Sequence, residues 1–240
     1  MAGQLRVDSL TSLYSQLCGV LAGFTFAGLS VYLAQTNLPP RASSVVTSLF
    51  CAFAALVLMS VVYTLLSGDS ENRRAIAALF FHGLPLGLSI ATMFYAVALM
   101  AQGRPELAPA VRLGRLLVSV VVPTIVLLRL GVTARYLSAD RVRLGQSRLG
   151  FVLAVAQLAV GLIFWGLSPS NTLAENWHAL PAYIALATTT LALALSPVLS
   201  TRPVDFLPSP RWQYGNLLVS FGILSVYSLS ASISLAPGTS

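Results

Sequence analysis

The stretch that decides the fold is residues 45–66, which read VVTSLFCAFAALVLMSVVYTLL. These 22 residues contain no charged side chain. A helix rises ~1.5 Å per residue, so about 20 apolar residues are enough to cross the roughly 30 Å hydrocarbon layer of a bilayer. The stretch therefore predicts a membrane-spanning helix.

The composition extends this expectation to the whole chain. Of its 240 residues, 56% are hydrophobic and only 9% are charged, and the mean hydropathy is +0.81. A soluble globule of this size exposes too much area to hide such a surface, so lipid is the expected solvent. Six further apolar runs are long enough to be spans. They are residues 13–34, 75–101, 111–130, 149–167, 180–199 and 214–235.

Short links join these runs and contain helix breakers, such as Pro39, Pro40, Gly68 and Pro203. Short links make consecutive spans antiparallel neighbours. The sequence thus predicts an all-α, polytopic helical membrane protein with seven transmembrane helices, which form a single domain over residues 1–240.

The basic residues orient the predicted bundle. All 14 are arginine. Ten are predicted on the side of the N-terminus, and the other side holds four, namely Arg41, Arg104, Arg112 and Arg115. Because basic residues accumulate in cytoplasmic loops, we expect a cytoplasmic N-terminus and an extracytoplasmic C-terminus.

A net charge of +7 would suggest nucleic-acid binding in a soluble protein. Here the arginines stand in short loops between apolar runs, so membrane orientation accounts for them and no nucleic-acid partner is predicted. Arginine without lysine is typical of a GC-rich, bacterial genome. The expected location is a bacterial inner membrane, with the lipid bilayer as the first partner.

Small residues recur every fourth position in the first span, at Ser15, Gly19, Gly23 and Ala27. Such a stripe lets a neighbouring helix approach closely. It predicts either a packing seam within the bundle or an interface with a second copy or another membrane protein.

The third span contains His82 and Pro85 with a glycine on either side of the proline. Proline removes a backbone hydrogen bond, so the sequence predicts a kink or a short unwound stretch here. Broken membrane helices often line substrate or ion sites, and an imidazole at such a break needs a polar partner. A hydrogen bond from His82 to a neighbouring span is the plainer alternative.

The fourth span carries Arg112 and Arg115 near its outer end and Arg129 at its inner end. Arg115 and Arg129 are roughly 20 Å apart along a helix, which is less than the hydrocarbon thickness. Arg115 must therefore extend outward to water or face a hydrated interior. In the second case the two outer arginines form a basic vestibule for an anion, a lipid headgroup or a partner's carboxylate.

Gln157, near the middle of the fifth span, has an amide that must find partners inside the protein. We expect interhelical hydrogen bonds for it, or a place along a polar pathway. Ser225, Ser228 and Ser232 form a further polar face on the last span.

All seven acidic residues lie in predicted loops or termini. This argues against transport coupled to an embedded carboxylate and against di-metal membrane enzymes. The chain has none of the common nucleophile, zinc or phosphate-loop motifs. No catalytic residue, metal site or cofactor is predicted, and the chain is not expected to be an enzyme.

Three functions follow in order of preference. The first is a conduit, a channel or transporter for an ion or small solute, with His82, Pro85, Arg112, Arg115 and Gln157 as candidate pathway or ligand residues. The alternative is a non-transporting membrane subunit or scaffold that packs with a partner through the small-residue face of the first span. A membrane enzyme acting on lipid is the third.

Overall fold

The structure is a computed structural model. It describes residues 7–36, 41–67, 72–102, 104–137, 140–166, 178–200 and 210–236. These residues are helical apart from short turns, and they include no strand. The helices are α1 Val7–Leu33, α2 Ala42–Ser67, α3 Asn72–Ala101, α4 Ala108–Leu116, α5 Val122–Leu137, α6 Asp140–Gly166, α7 Leu180–Ser200 and α8 Pro210–Ser234.

Six helical stretches are long and apolar enough to cross a membrane. They are Thr11–Leu33, Ala42–Leu65, Leu79–Ala101, Pro105–Arg135, Ser147–Gly166 and Arg211–Ser234. The apolar part of α7, Leu180–Leu195, is shorter. The expectation of an all-helical chain with several membrane-length helices is thus confirmed, and length alone supports six of the seven predicted spans.

Cross-helix contacts give the directions of the first helices. The Ser15 hydroxyl on α1 donates to the Ser60 carbonyl of α2 at 3.0 Å, and the rings of Phe26 and Phe53 lie 5.5 Å apart. Residue numbers rise on α1 where they fall on α2, so the two helices are antiparallel. The start of α1 and the end of α2 therefore lie at one end of the bundle, and the end of α1 and the start of α2 lie at the other.

The last helices follow the same alternation. A Cβ on Gly145 of α6 would lie 2.7 Å from the Tyr214 hydroxyl of α8, and Gln157 bonds Ser228 further along both helices. α6 and α8 are therefore parallel. The chain must therefore cross back between α6 and α8. α7 begins after His178, at the end of the bundle where α6 finishes, and runs antiparallel to both helices.

α3 lies at the centre of the bundle and contacts α1, α2, α5, α7 and α8. It continues as one helix through Pro85, so the predicted unwound stretch is not present. The glycines beside the proline have another role. A Cβ on Gly83 would lie 2.8 Å from Leu130, and one on Gly87 would overlap Val126, so these glycines let α5 pack closely against α3.

The irregular helix is in the fourth span instead. A π turn, Leu117–Val121, joins α4 to α5 and ends two residues before Pro123. The N–H of Val122 donates to the carbonyl of Leu117, five residues earlier. Proline cannot donate the next helical bond, which explains the local change of pitch, and π turns recur at functional positions.

Two glycines define the crossing of α5 and α6. A Cβ on Gly131 would lie 2.8 Å from the Cα of Gly150, and a Cβ on Gly150 would overlap the backbone of Gly131. Only a pair without side chains permits this approach.

We predict that Gly150→Val lowers the free energy of unfolding by about 1–3 kcal/mol, because its side chain must push the backbones apart. Gly222→Val is the matched control, since nothing lies within 4 Å of its Cβ position. Thermal unfolding in detergent measures both. Equal stability of the two variants would contradict the close crossing.

Candidate functional site

The buried face of α8 carries polar side chains from its first turn to its last. Gln213, Ser220, Ser228 and Ser232 are each no more than 1% exposed. We define the polar seam as these three serines together with Asn216 and Ser225 on α8, Ser119 on the π turn, Gln157 on α6 and Arg115 on α4. A helix at membrane depth has no water to solvate such groups, so their partners must come from the protein or from a bound solute.

The half of the seam nearer the end of α8 is tied together by hydrogen bonds. The Ser232 hydroxyl donates to the Ser119 hydroxyl at 3.0 Å. The Gln157 amide donates to the Ser228 hydroxyl at 3.0 Å and accepts from Ser225 at 3.0 Å. These bonds link the π turn, α6 and α8, and they satisfy the expectation that Gln157 faces protein.

Arg115 stands where this half of the seam reaches the end of the bundle. It is only 6% exposed, and its Nη2 donates to the carbonyl of Phe164 at 3.2 Å. Phe164 belongs to the last turn of α6, where a cation interacts favourably with the helix dipole. Arg112 is exposed. The two arginines of the predicted vestibule thus differ in environment, one buried against α6 and the other exposed.

The other half of the seam is less well satisfied. Ser220 Oγ, 0% exposed, and Asn216 Nδ2 have no hydrogen-bond partner among the described residues. Buried polar atoms of this kind in a native protein are usually bound to water or a ligand. Leu224, 1% exposed, separates Ser220 from Ser228 on the same helix face. The seam thus has two polar halves with one apolar side chain between them.

The other candidates on α3 lie apart from the seam. His82 is 1% exposed, and its ring meets the edge of the Tyr63 ring on α2 at a centroid distance of 6.4 Å. Pro85 is buried one turn further along. The structure places His82 in a packed contact between α2 and α3.

The small-residue stripe of α1 is divided between two environments. Ser15 bonds the Thr64 hydroxyl at 2.7 Å, and a Cβ on Gly19 would make an ordinary contact with Ser60. Gly23 has nothing within 4 Å of its Cβ position, and Ala27 is exposed. The stripe begins inside the α1–α2 contact and ends on the outer surface.

A second polar cluster lies at the end of the bundle where α8 ends. Tyr95 of α3 donates to the backbone carbonyl of His178 at 2.7 Å. His178 is 3% exposed, and neither ring nitrogen has a partner among the described residues. Burial, and then the nearby Arg41 guanidinium, lower the pKa of His178 to about 4. No local pattern indicates this contact, because Tyr95 and His178 are 83 positions apart in the sequence.

Two open apolar grooves lie on the surface of α7 and α8. One has a volume of ≈360 Å³ and the other ≈600 Å³. The first is lined by Ile184, Val219, Gly222, Ile223 and Val226. Neither groove touches His82 or the seam, so both suit lipid chains or another helix better than a polar solute.

Comparisons of the chain with protein-family models, with curated proteins and with solved structures give no match. Within the residues that the structure describes, no three His, Cys, Asp or Glu side chains are grouped as metal ligands would be. The argument for function therefore rests on the geometry of this chain.

We predict that acid destabilises the protein through His178. The unfolded histidine titrates near 6.5, and the folded one near 4. Between these values only the unfolded state binds the proton, so the contribution of His178 is complete above about pH 6.5 and is lost as the pH falls towards 4. The expected loss is about 2–3 kcal/mol.

Thermal unfolding in detergent at pH 7.5 and pH 4.5 measures this loss. His178→Gln removes the titrating group and should flatten the pH dependence, whereas His82 is present in both proteins and cancels. If the variant loses as much stability in acid as the parent, His178 is not the cause.

Proposed function

We propose that this chain is a conduit, a channel or transporter for an ion or small solute, and that the polar seam is its pathway in a closed form. The observation that supports this most directly is the pair of unpartnered groups, Asn216 Nδ2 and Ser220 Oγ, beyond the hydrogen-bonded half. Polar groups are costly at membrane depth and are typical of surfaces that line a pathway.

Leu224 is the proposed gate. Its side chain is buried between Ser220 on one side and Ser228 on the other. Hydrophobic constrictions close membrane pathways by excluding water, and a single branched side chain at a narrow point is sufficient for that. The neighbouring π turn gives the helix opposite α8 a local weak point at which the packing can change.

The proposal includes seven crossings, with the N-terminus in the cytoplasm and the C-terminus outside. The returning direction of α7 between the parallel helices α6 and α8 supports the count. The arginine distribution supports the orientation. Of the arginines counted, Arg6 and Arg202 lie outside the described residues. Because all its basic residues are arginine, the chain is assigned in this proposal to a bacterial inner membrane.

We predict that Leu224→Ser raises solute flux through proteoliposomes at least about tenfold over the parent, since it removes about 2 kcal/mol of apolar barrier. Stopped-flow light scattering with water and glycerol, and anion flux with chloride, are the measurements. Leu218→Ser on the same helix is the matched control, because Leu218 is 53% exposed.

Leu218→Ser should leave the flux at the parental level. A Leu224→Ser protein that is folded, by helical content and by monodispersity, yet conducts none of these probes any faster would count against the seam as a pathway. Adding Gln157→Leu to Leu224→Ser restores an apolar side chain near the gate and should reverse the gain.

A non-transporting subunit is the second candidate, and the open end of the α1 stripe favours it. Gly23 has open space beyond its Cβ position, and Ala27 beside it is exposed. A second helix could approach α1 closely at this point, as small-residue faces allow.

We predict under this second function that Gly23→Leu lowers the oligomeric mass of the detergent-solubilised protein without lowering its unfolding temperature. Gly215→Leu, at an equally open glycine on α8 that lines neither groove, is the control and should change neither. Light scattering coupled to size-exclusion chromatography measures the mass. An unchanged mass for Gly23→Leu would remove the support for this interface.

A further inference from the structure

His178, which lies near Arg41, has hydrogen-bonding groups that no described residue satisfies. The imidazole is buried, and both ring nitrogens lack partners among the described residues. A neutral imidazole has one N–H donor and one acceptor nitrogen. Leaving both nitrogens unpaired inside a protein costs free energy, and such buried groups usually bind water or a ligand.

The surroundings favour an anion over a cation at this place. Arg41 lies directly before α2 and His178 just before α7, and these two helices are in contact and begin at the same end of the bundle. The nearby guanidinium lowers the pKa of His178, which means that it disfavours a positive charge there. The described charged side chains at this end of the bundle are four arginines and one exposed carboxylate. They are Arg41, Arg104, Arg112, Arg115 and Glu106. A metal ion at His178 would meet the same repulsion, whereas an oxyanion would be attracted.

The backbone around His178 is held in position for such a ligand. Tyr95 fixes the His178 carbonyl from α3. Directly after the same helix, the Gln102 amide donates to the carbonyls of Ser234 and Ala236 at 3.2 Å each, which fixes the end of α8. The backbone of His178 is thus held by α3, which also holds the end of α8.

We propose that Arg41 and His178 form a binding site for one phosphoryl oxyanion, with the guanidinium supplying charge and a pair of N–H donors and the imidazole supplying a further N–H. Arginine matches the geometry of phosphate oxygens well. The same chemistry is presented by a free phosphate and by the headgroup of an anionic lipid. The site is independent of the seam and exists whether or not the seam conducts.

Nitrogen-15 NMR of the imidazole rings tests the site, since the chain has only two histidines. The full chain is labelled with 15N-histidine and studied in dodecyl maltoside micelles, which contain no phosphate. His178→Gln assigns the two signals. Sodium phosphate is titrated against sodium chloride of equal ionic strength, and a short-chain phosphatidylglycerol is titrated in a separate arm.

A saturable shift of the His178 signals with inorganic phosphate supports the site with a free anion as its ligand. A shift with phosphatidylglycerol alone supports it with a lipid headgroup as its ligand. No saturable shift with either probe overturns the proposal. The His82 signals should stay in place throughout and report that the fold is unchanged.

Arg41→Gln should weaken the apparent binding at least about tenfold, and Arg41→Lys should give an intermediate loss, because it keeps the charge but not the paired donors. Arg112→Gln, an exposed arginine at the same end, is the control and should bind as the parent does. Unchanged binding in Arg41→Gln overturns the proposal. Glu175, close in sequence, lies outside the described residues, and a shift found only in Glu175→Gln would also overturn it.

Discussion

The membrane offers no water to the polar groups inside this bundle, and the arrangement of its helices depends on how those groups are satisfied. Many hydroxyls bond back to their own helix. Thr25 and Thr189 each donate to the carbonyl four residues earlier, at 2.7 and 2.8 Å. Such bonds do not link one helix to another. The bonds that cross between helices, above all those of Gln157 and Tyr95, are therefore the ones that fix how the bundle packs.

Cross-helix bonds between short side chains require the helix axes to be close, and glycine provides that closeness. A Cβ on Gly161 of α6 would lie 2.5 Å from the Ser119 carbonyl, so α6 approaches the π turn directly. The Gly131–Gly150 crossing is a second point of close approach, further along α5 and earlier in α6. Between these two points Gln157 lies near enough to α8 to bond Ser228. The polar seam and the glycine contacts are thus two aspects of one packing arrangement.

Much of the helical architecture could be predicted from the sequence, because long apolar runs and breakers are local features. The polar groups were predictable only in part. Gln157 stood out as an amide in an apolar run, whereas Ser119 looked like any other membrane serine. Pro85 was a misleading signal, since the glycines beside it pack against α5 and the helix continues. The Tyr95–His178 contact joins distant positions, and no local pattern indicates it.

The seam and the Arg41–His178 site differ in a way that bears on the selectivity of the proposed conduit. The seam between Ser220 and Ser232 consists of neutral hydroxyl and amide groups, which hydrogen-bond cations, anions and neutral solutes with little distinction. The described charges of the bundle lie towards its two ends, and arginines outnumber carboxylates at both. In the proposed conduit, any preference for charge must therefore arise at the ends, where a solute meets the arginines, and the seam itself can select only by width and hydrogen bonding.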